Sequence, residues 1–439
     1  MSPVLSCVPL LAQTATALGR RVWTRVHVPD DLTAVSRVDR EAEVDAREVG
    51  MRAAAPERIW AAVEHLFRGG VHPAITMVLR RRGRIVLKRS IGCVHGNLPG
   101  DEGAPVVIRP DSPVSLFSAS KAISALLVHK LVDDGRLSLD DRVVDFIPEF
   151  APHGKHRVTI RGLLAHRAGI PAVPHVEPTP ELLHRWDEII DLLCRARPFD
   201  PDFGKQAYHA LSAGFIVGEV VRRASGRELP ELLREWLAEP LGLQYLSFGL
   251  APELRHLAPV NARTGPLPFW PATAYIRRAV GVPFSAAVAA SNHEAFLSAV
   301  VPAGNIYANA DDVSRVLQML LNGGELDGVR VLRPETVADA LRPVGPLQVD
   351  RTLMFPLRFS AGFMLGQNPI GLFGPRSGMA FGHLGFISVL CWADPERDIS
   401  VAILNTGKAM APAIVTRMIG VLRAIADECP RDAIVRGGR

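Results

Sequence analysis

Apolar positions between Ser115 and Leu137 recur at helical spacing, with Ile123, Leu126, Leu127 and Leu131 on one face and Gly135 as a left-handed stop. The same period predicts a helix that begins at Pro56, buries Ile59, Val63 and Phe67, and ends at Gly69-Gly70. It predicts further helices over 180–195, 210–225, 229–237, 311–321, onward from Pro334, and over 411–426. Short β-rich runs at 75–79 and 84–89, separated by Arg81–Gly83, read as a hairpin. Strands are also expected over 106–109, 329–332, 361–366, 387–393 and 399–404. The turn-rich Asp394–Asp398 joins the last two. Strands near both ends with helices between them predict the α+β class. One antiparallel sheet, completed by the two ends of the chain and flanked by helices, would carry an inserted helical lobe. The expected organisation is an extension over 1–52, an α/β lobe from 53–115 and 290–439, and a mainly helical lobe over 116–289.

Composition changes this picture little. The 439 residues, 48% hydrophobic and 22% charged, are enough for a substantial core. The net charge of +5 is spread over single arginines and short pairs, densest at Arg80–Arg84, with no basic stripe interleaved with aromatics. Nucleic acid is therefore a poor partner. Five cysteines, an odd number without a C-x-x-C, suggest reduced thiols and a cytoplasmic chain. The first 23 residues fit an export signal poorly, since no basic residue precedes their apolar part. No apolar run reaches membrane-spanning length, so no integral membrane segment is expected. No His, Cys and carboxylate cluster has metal-ligand spacing, and His153 and His156 read as loop histidines.

Candidate chemistry begins at Ser118-Ala119-Ser120-Lys121, an S-x-x-K. Positions three apart share a helix face, so hydroxyl and amine can meet. In the first turn, free N–H groups and the helix dipole stabilise developing negative charge. A lysine in a dry pocket can lose its proton and activate the serine. Taken alone, a helix-capping serine and a solvated lysine explain the motif equally well. Lysine, however, occurs only at 88, 121, 130, 155, 205 and 408, and no other has a serine three residues earlier.

Leu116–Lys121 resembles the nucleophile motif of the serine β-lactamase and penicillin-binding-protein superfamily. Three further blocks resemble that superfamily in the right order: Ile160–Ile170 (IRGLLAHRAGI), Leu321–Gly328 (LNGGELDG) and Phe381–Phe386 (FGHLGF). The resemblance spans roughly residues 55–425 and implies a β-lactamase-like fold. By it, Tyr208, the tyrosine of Tyr208-His209-Ala210, faces Ser118 and Lys121. A cationic lysine would lower its phenol pKa, and phenolate or amine would take the Ser118 proton, the two titrating together. His383-Leu384-Gly385 stands where the family has K-[ST]-G. Gly385 would allow close backbone approach, and the Phe386 N–H would join that of Ser118 as an oxyanion hole. Each such donor is worth on the order of 3 kcal/mol to the transition state. His383 would orient substrate or hydrogen-bond Tyr208. Phe269, Trp270 and Tyr275 would line an apolar pocket, with Trp270 a substrate contact.

Two departures matter. Ala210 replaces the asparagine of Y-x-N, and His383 replaces the lysine of K-[ST]-G. In β-lactamases those groups hold the amide side chain and the carboxylate of the antibiotic. Such variants resemble the family's class C-like carboxylesterases. The resemblance therefore implies a serine esterase forming an acyl-enzyme on Ser118 from a small-molecule ester. No metal or organic cofactor is implied, and no carboxylate is placed to activate a deacylating water. Alternatives are a weak β-lactamase, a D-aminopeptidase, an acyltransferase with an alcohol acceptor, and a non-catalytic scaffold or sensor.

Overall fold

The computed structural model describes residues 23–171, 179–266, 277 and 281–432. An eight-stranded sheet forms the centre. Its strands in chain order are β1 (Ser36–Val38), β2 (Ala74–Arg81), β3 (Arg84–His95), β4 (Met364–Leu365), β5 (Phe381–Gly385), β6 (Val389–Asp394) and β7 (Ile399–Asn405), with Val106–Val107 paired to β3. The spatial order is β4-β5-β6-β7-β2-β3-β1, and every pairing is antiparallel. The expected sheet from both chain ends is present. C-terminal β7 lies against N-terminal β2, with Val401 opposite Leu79.

Period-two alternation divides the sheet between two cores. Ile399, Val401 and Ile403 of β7, with Ile75, Met77 and Leu79 of β2, belong to one core. The helix α1 (Ala55–Phe67) covers that face with Ile59, Val63 and Phe67. The last helix, Pro412–Glu428, joins it with Val421, Leu422 and Ile425. Ala402 and Leu404 turn to the other core, where Val313, Val316 and Leu317 of the helix Ala310–Leu321 meet them. The helix α2 (Ser120–Asp133) belongs to the same core, and its residues from Ser120 to His129 are all buried. A helix apolar on every side sits inside the protein. α2 therefore presents its first turn from a fixed base.

Three features depart from the pattern reading. β5 was not signalled by alternation, because two of its five residues are glycine and carry no side chain to alternate. The charged stretch Asp39–Arg47, within the expected extension over 1–52, is fixed against the sheet. Asp45 caps the short turn Ala46–Val49, and Glu43 accepts a hydrogen bond from Arg89 Nε at 2.8 Å. The helix Phe284–Ala290 is mostly alanine and only two turns long, and it buries Phe284 and Val288, four positions apart on one face. Buried Arg81 ties the two chain ends to the hairpin, donating to the carbonyls of Val49 (2.9 Å), Arg397 (2.6 Å) and Pro430 (3.0 Å).

Candidate active site

Ser118 lies in a single 3-10 turn, Phe117–Ala119, that runs directly into α2. It is partly exposed while its neighbours Phe117 and Ala119 are buried. Phe117 has a φ of 48°, in the left-handed region that a bulky side chain seldom occupies. Lys121 follows one turn later, and its Nζ stands 3.3 Å from Ser118 Oγ. The amine also donates to the carbonyls of Ala210 (2.7 Å) and Ala303 (3.1 Å). No carboxylate is among these partners. Burial holds the Lys121 pKa well below the usual lysine range, because desolvation disfavours the charged form.

Tyr208 precedes the helix Ser212–Ser225, and Lys121 Nζ lies 4.8 Å from the centre of its ring. The Tyr208 backbone N–H donates to Asp350 Oδ1 at 3.0 Å, which fixes the segment from outside. Three buried histidines surround the pair. The His166 and His383 rings are centred 4.6 and 6.2 Å from that of Tyr208, and His209 stacks on His166 at 5.6 Å. Burial, with Lys121 contributing, pushes His383 down to about 3. Burial likewise brings His209 to about 3, and His166 falls well below the usual imidazole range. All three are neutral at physiological pH. His383 Nδ1 lies 2.7 Å from the Leu384 carbonyl, which can only accept. The proton is thus on Nδ1, and Nε2 offers a lone pair.

Gly385 ends β5 against the turn that carries Ser118. A Cβ there would lie 2.2 Å from the Leu116 carbonyl oxygen, so only glycine permits this approach. Phe386 opens the turn between β5 and β6, and its ring lies 5.4 Å from that of Phe117. Ser118 and Phe386 line one cavity of ≈ 440 Å³. Its wall includes Phe296 and the small side chains Ala286, Ala287 and Ala290. Among the described residues lining it, none is Asp, Glu, Lys or Arg.

The chain thus brings together Ser118, Lys121, Tyr208, His383, Gly385 and Phe386, from segments far apart in sequence. Phe269, Trp270 and Tyr275 lie outside the described residues. Sequence reasoning passed over Ala303, Asp350 and the alanine wall. A backbone carbonyl and a run of alanines carry no side-chain signal. Asp350 stands in no recognisable motif. Among the described residues, no group of three or more His, Cys, Asp or Glu could hold a metal ion, and no helix is long and apolar enough to cross a membrane. The four described cysteines, Cys93, Cys194, Cys391 and Cys429, are free and buried.

Comparison with known proteins agrees with this geometry. The esterase/beta-lactamase LipL of Mycobacterium tuberculosis is 32% identical over 324 residues, covering 71% of this chain and 72% of its own. A penicillin-binding-protein homologue from Caulobacter crescentus superposes with a TM-score of 0.72 at 29% identity, over 84% of this chain and 98% of that one. A family VIII carboxylesterase structure gives the same TM-score, 0.72, at 26% identity, over 85% and 99% of the two chains. The family model described as beta-lactamase matches residues 61–419. With the Ser118 turn, Lys121 and the glycine-ended strand inside that span, the chain belongs to the beta-lactamase family.

Proposed function

We propose that this protein is a serine esterase that cleaves small neutral carboxylic esters through an acyl-enzyme on Ser118. The observation that carries the reading is the desolvated Lys121 amine, 3.3 Å from Ser118 Oγ with no carboxylate to keep it charged. Ser118 Oγ bonds to the ester carbonyl carbon, and its proton passes to the Lys121–Tyr208 pair. The oxyanion forms between the Ser118 and Phe386 N–H groups. As the carbonyl reforms, the C–O bond to the alcohol breaks, and the pair returns the proton to the leaving oxygen. Water then attacks the acyl carbon by the same steps and frees Ser118. No carboxylate lines the cavity among the described residues, so the same pair serves both halves.

His383 separates esters from lactams. A lactam antibiotic bears a carboxylate, and a lysine in the strand motif would pair with it. His383 is neutral, its Nδ1 proton is used by Leu384, and its Nε2 can only accept. It would take a hydrogen bond from Tyr208 or from substrate and offers nothing to an anion. Ala210 removes the amide contact as well. The name esterase/beta-lactamase LipL covers both activities, while the likeness to a family VIII carboxylesterase supports the ester.

The test is turnover of p-nitrophenyl butyrate beside nitrocefin. The expected result is a kcat/KM at least about 100-fold higher for the ester, equivalent to roughly 2.7 kcal/mol of transition-state discrimination. Nitrocefin turnover equal to that of the ester would overturn the assignment.

The alanine wall sets acyl length in this reading. Ala287→Phe fills part of the cavity beside Ser118 and is expected to move the preference toward acetate. We expect about a tenfold loss with octanoate and little change with acetate, since one to two kcal/mol of pocket burial is removed. An unchanged chain-length profile would mean that the acyl chain lies elsewhere.

A further inference from the structure

The segment after β7 carries a buried lysine that the proposed reaction does not use. Lys408 is fully buried, and its Nζ donates to the Asn405 carbonyl at 3.0 Å. The same Nζ lies 4.5 Å from the centre of the Phe117 ring, the residue before the nucleophile. Asn405, also fully buried, points its side chain the other way. Its Oδ1 accepts from Ser388 Oγ at 2.6 Å, and its Nδ2 donates to the Ser388 carbonyl at 2.7 Å. Ser388 closes the turn that Phe386 opens, its N–H donating to the Phe386 carbonyl at 3.1 Å.

Both ends of this cluster meet strained backbone. Phe117 has a φ of 48° and Ile387, between Phe386 and Ser388, a φ of 71°. Left-handed geometry is costly for an aromatic residue and more so for a β-branched one, and it persists only where the surroundings enforce it. Each strained residue is the sequence neighbour of one proposed oxyanion donor. Phe117 precedes Ser118, and Ile387 follows Phe386. One short segment, Asn405–Lys408, packs against Phe117 and bonds to Ser388, the neighbour of Ile387. One asparagine side chain thus satisfies both the hydroxyl and the carbonyl of Ser388, which fixes the turn's orientation.

We infer that Asn405, Ser388 and Lys408 are positioning residues that hold the Ser118 and Phe386 N–H groups at the spacing an oxyanion requires. This rests on the esterase reading above. Asn405 and Ser388 lock the Phe386 turn, while Lys408 supports the Phe117 ring from below. None of the three touches substrate. They act on the geometry of donors that matter only when negative charge develops, so their contribution falls on the transition state and not on ester binding.

The experiment compares Ser388→Ala, Ser388→Thr, Asn405→Ala and Lys408→Met with the unaltered full-length chain. Readouts are kcat and KM for p-nitrophenyl butyrate, inhibition by 1-butaneboronic acid, and Tm. Ser388→Ala deletes one oxygen and keeps the proposal testable should the Asn405 variant fail to fold. The expected loss in kcat is about 10- to 100-fold for Ser388→Ala and Asn405→Ala, with KM within about twofold, as for a small displacement of catalytic groups. Boronate affinity should fall in step with kcat. Ser388→Thr, which keeps the hydroxyl, should restore most of it. The double variant should be no worse than the poorer single one, since both break one linkage. A folded Ser388→Ala with full kcat, a loss confined to KM, or additive effects in the double variant would overturn the inference. Should Ser118→Ala itself retain esterase activity, the esterase reading fails first. If Ser118 is required but Ser388→Ala is unaffected, only the positioning role fails.

Discussion

Ser118→Ala is expected to abolish labelling by a fluorophosphonate and to lower p-nitrophenyl butyrate hydrolysis by at least about 10³-fold, because the proposed acyl-enzyme forms on that hydroxyl. The neighbouring Ser120 is no substitute. Its side chain is fully buried and receives the Ile306 N–H at 3.0 Å, so it faces the core and not the cavity. The variant should fold as the parent does, since Ser118 is partly exposed and lies outside the buried core. Circular dichroism and Tm check that point. Full labelling of the alanine variant would place the nucleophile elsewhere and remove the basis of the mechanism.

The second large effect concerns the proton acceptor. Lys121→Ala and Tyr208→Phe are each expected to lower kcat by about 10²- to 10⁴-fold, the usual range for a general base. The double variant should lose little more than the worse single one, because both serve one proposed proton transfer. The pH dependence has a definite sign. Burial depresses the Lys121 pKa, so the neutral, proton-accepting form exists above that lowered value. Activity should therefore fall on the acid side as Lys121 gains its proton. The histidines cannot set this limb near neutrality, since His383 and His209 are held to about 3. A kcat profile taken in parent and Tyr208→Phe checks this. A limb unmoved in Lys121→Ala would show that another group titrates.

Much of the fold was legible where side chains alternate or recur. β2, β3, β6 and β7 announced themselves through branched residues, and α1 through Ile59, Val63 and Phe67. What stayed hidden lacks side chains or depends on distant partners. β5 is glycine-rich, and β1 becomes a strand only because Ser36–Val38 meets Arg89–Ile91. At the site, Ser118 and Lys121 could be paired from local spacing alone, since one helical turn fixes their separation. Tyr208 and Phe386 required a resemblance, because nothing local brings them to Ser118. The three-residue cluster behind the oxyanion donors could not have been read at all. Lys408 is a scarce residue in this chain, yet its meaning lies in an aromatic ring 291 positions earlier (408 minus 117).

The seam between β7 and β2 has a kinetic corollary. All the residues between β2 and β7 must leave the ribosome before β7 can fill the gap beside β2. Until then the N-terminal hairpin presents a bare row of amides and carbonyls to whatever strand comes near. Closing so wide a loop is slow. Completion of the central sheet thus waits on β7, and until then a chaperone or a neighbouring copy can reach that edge first.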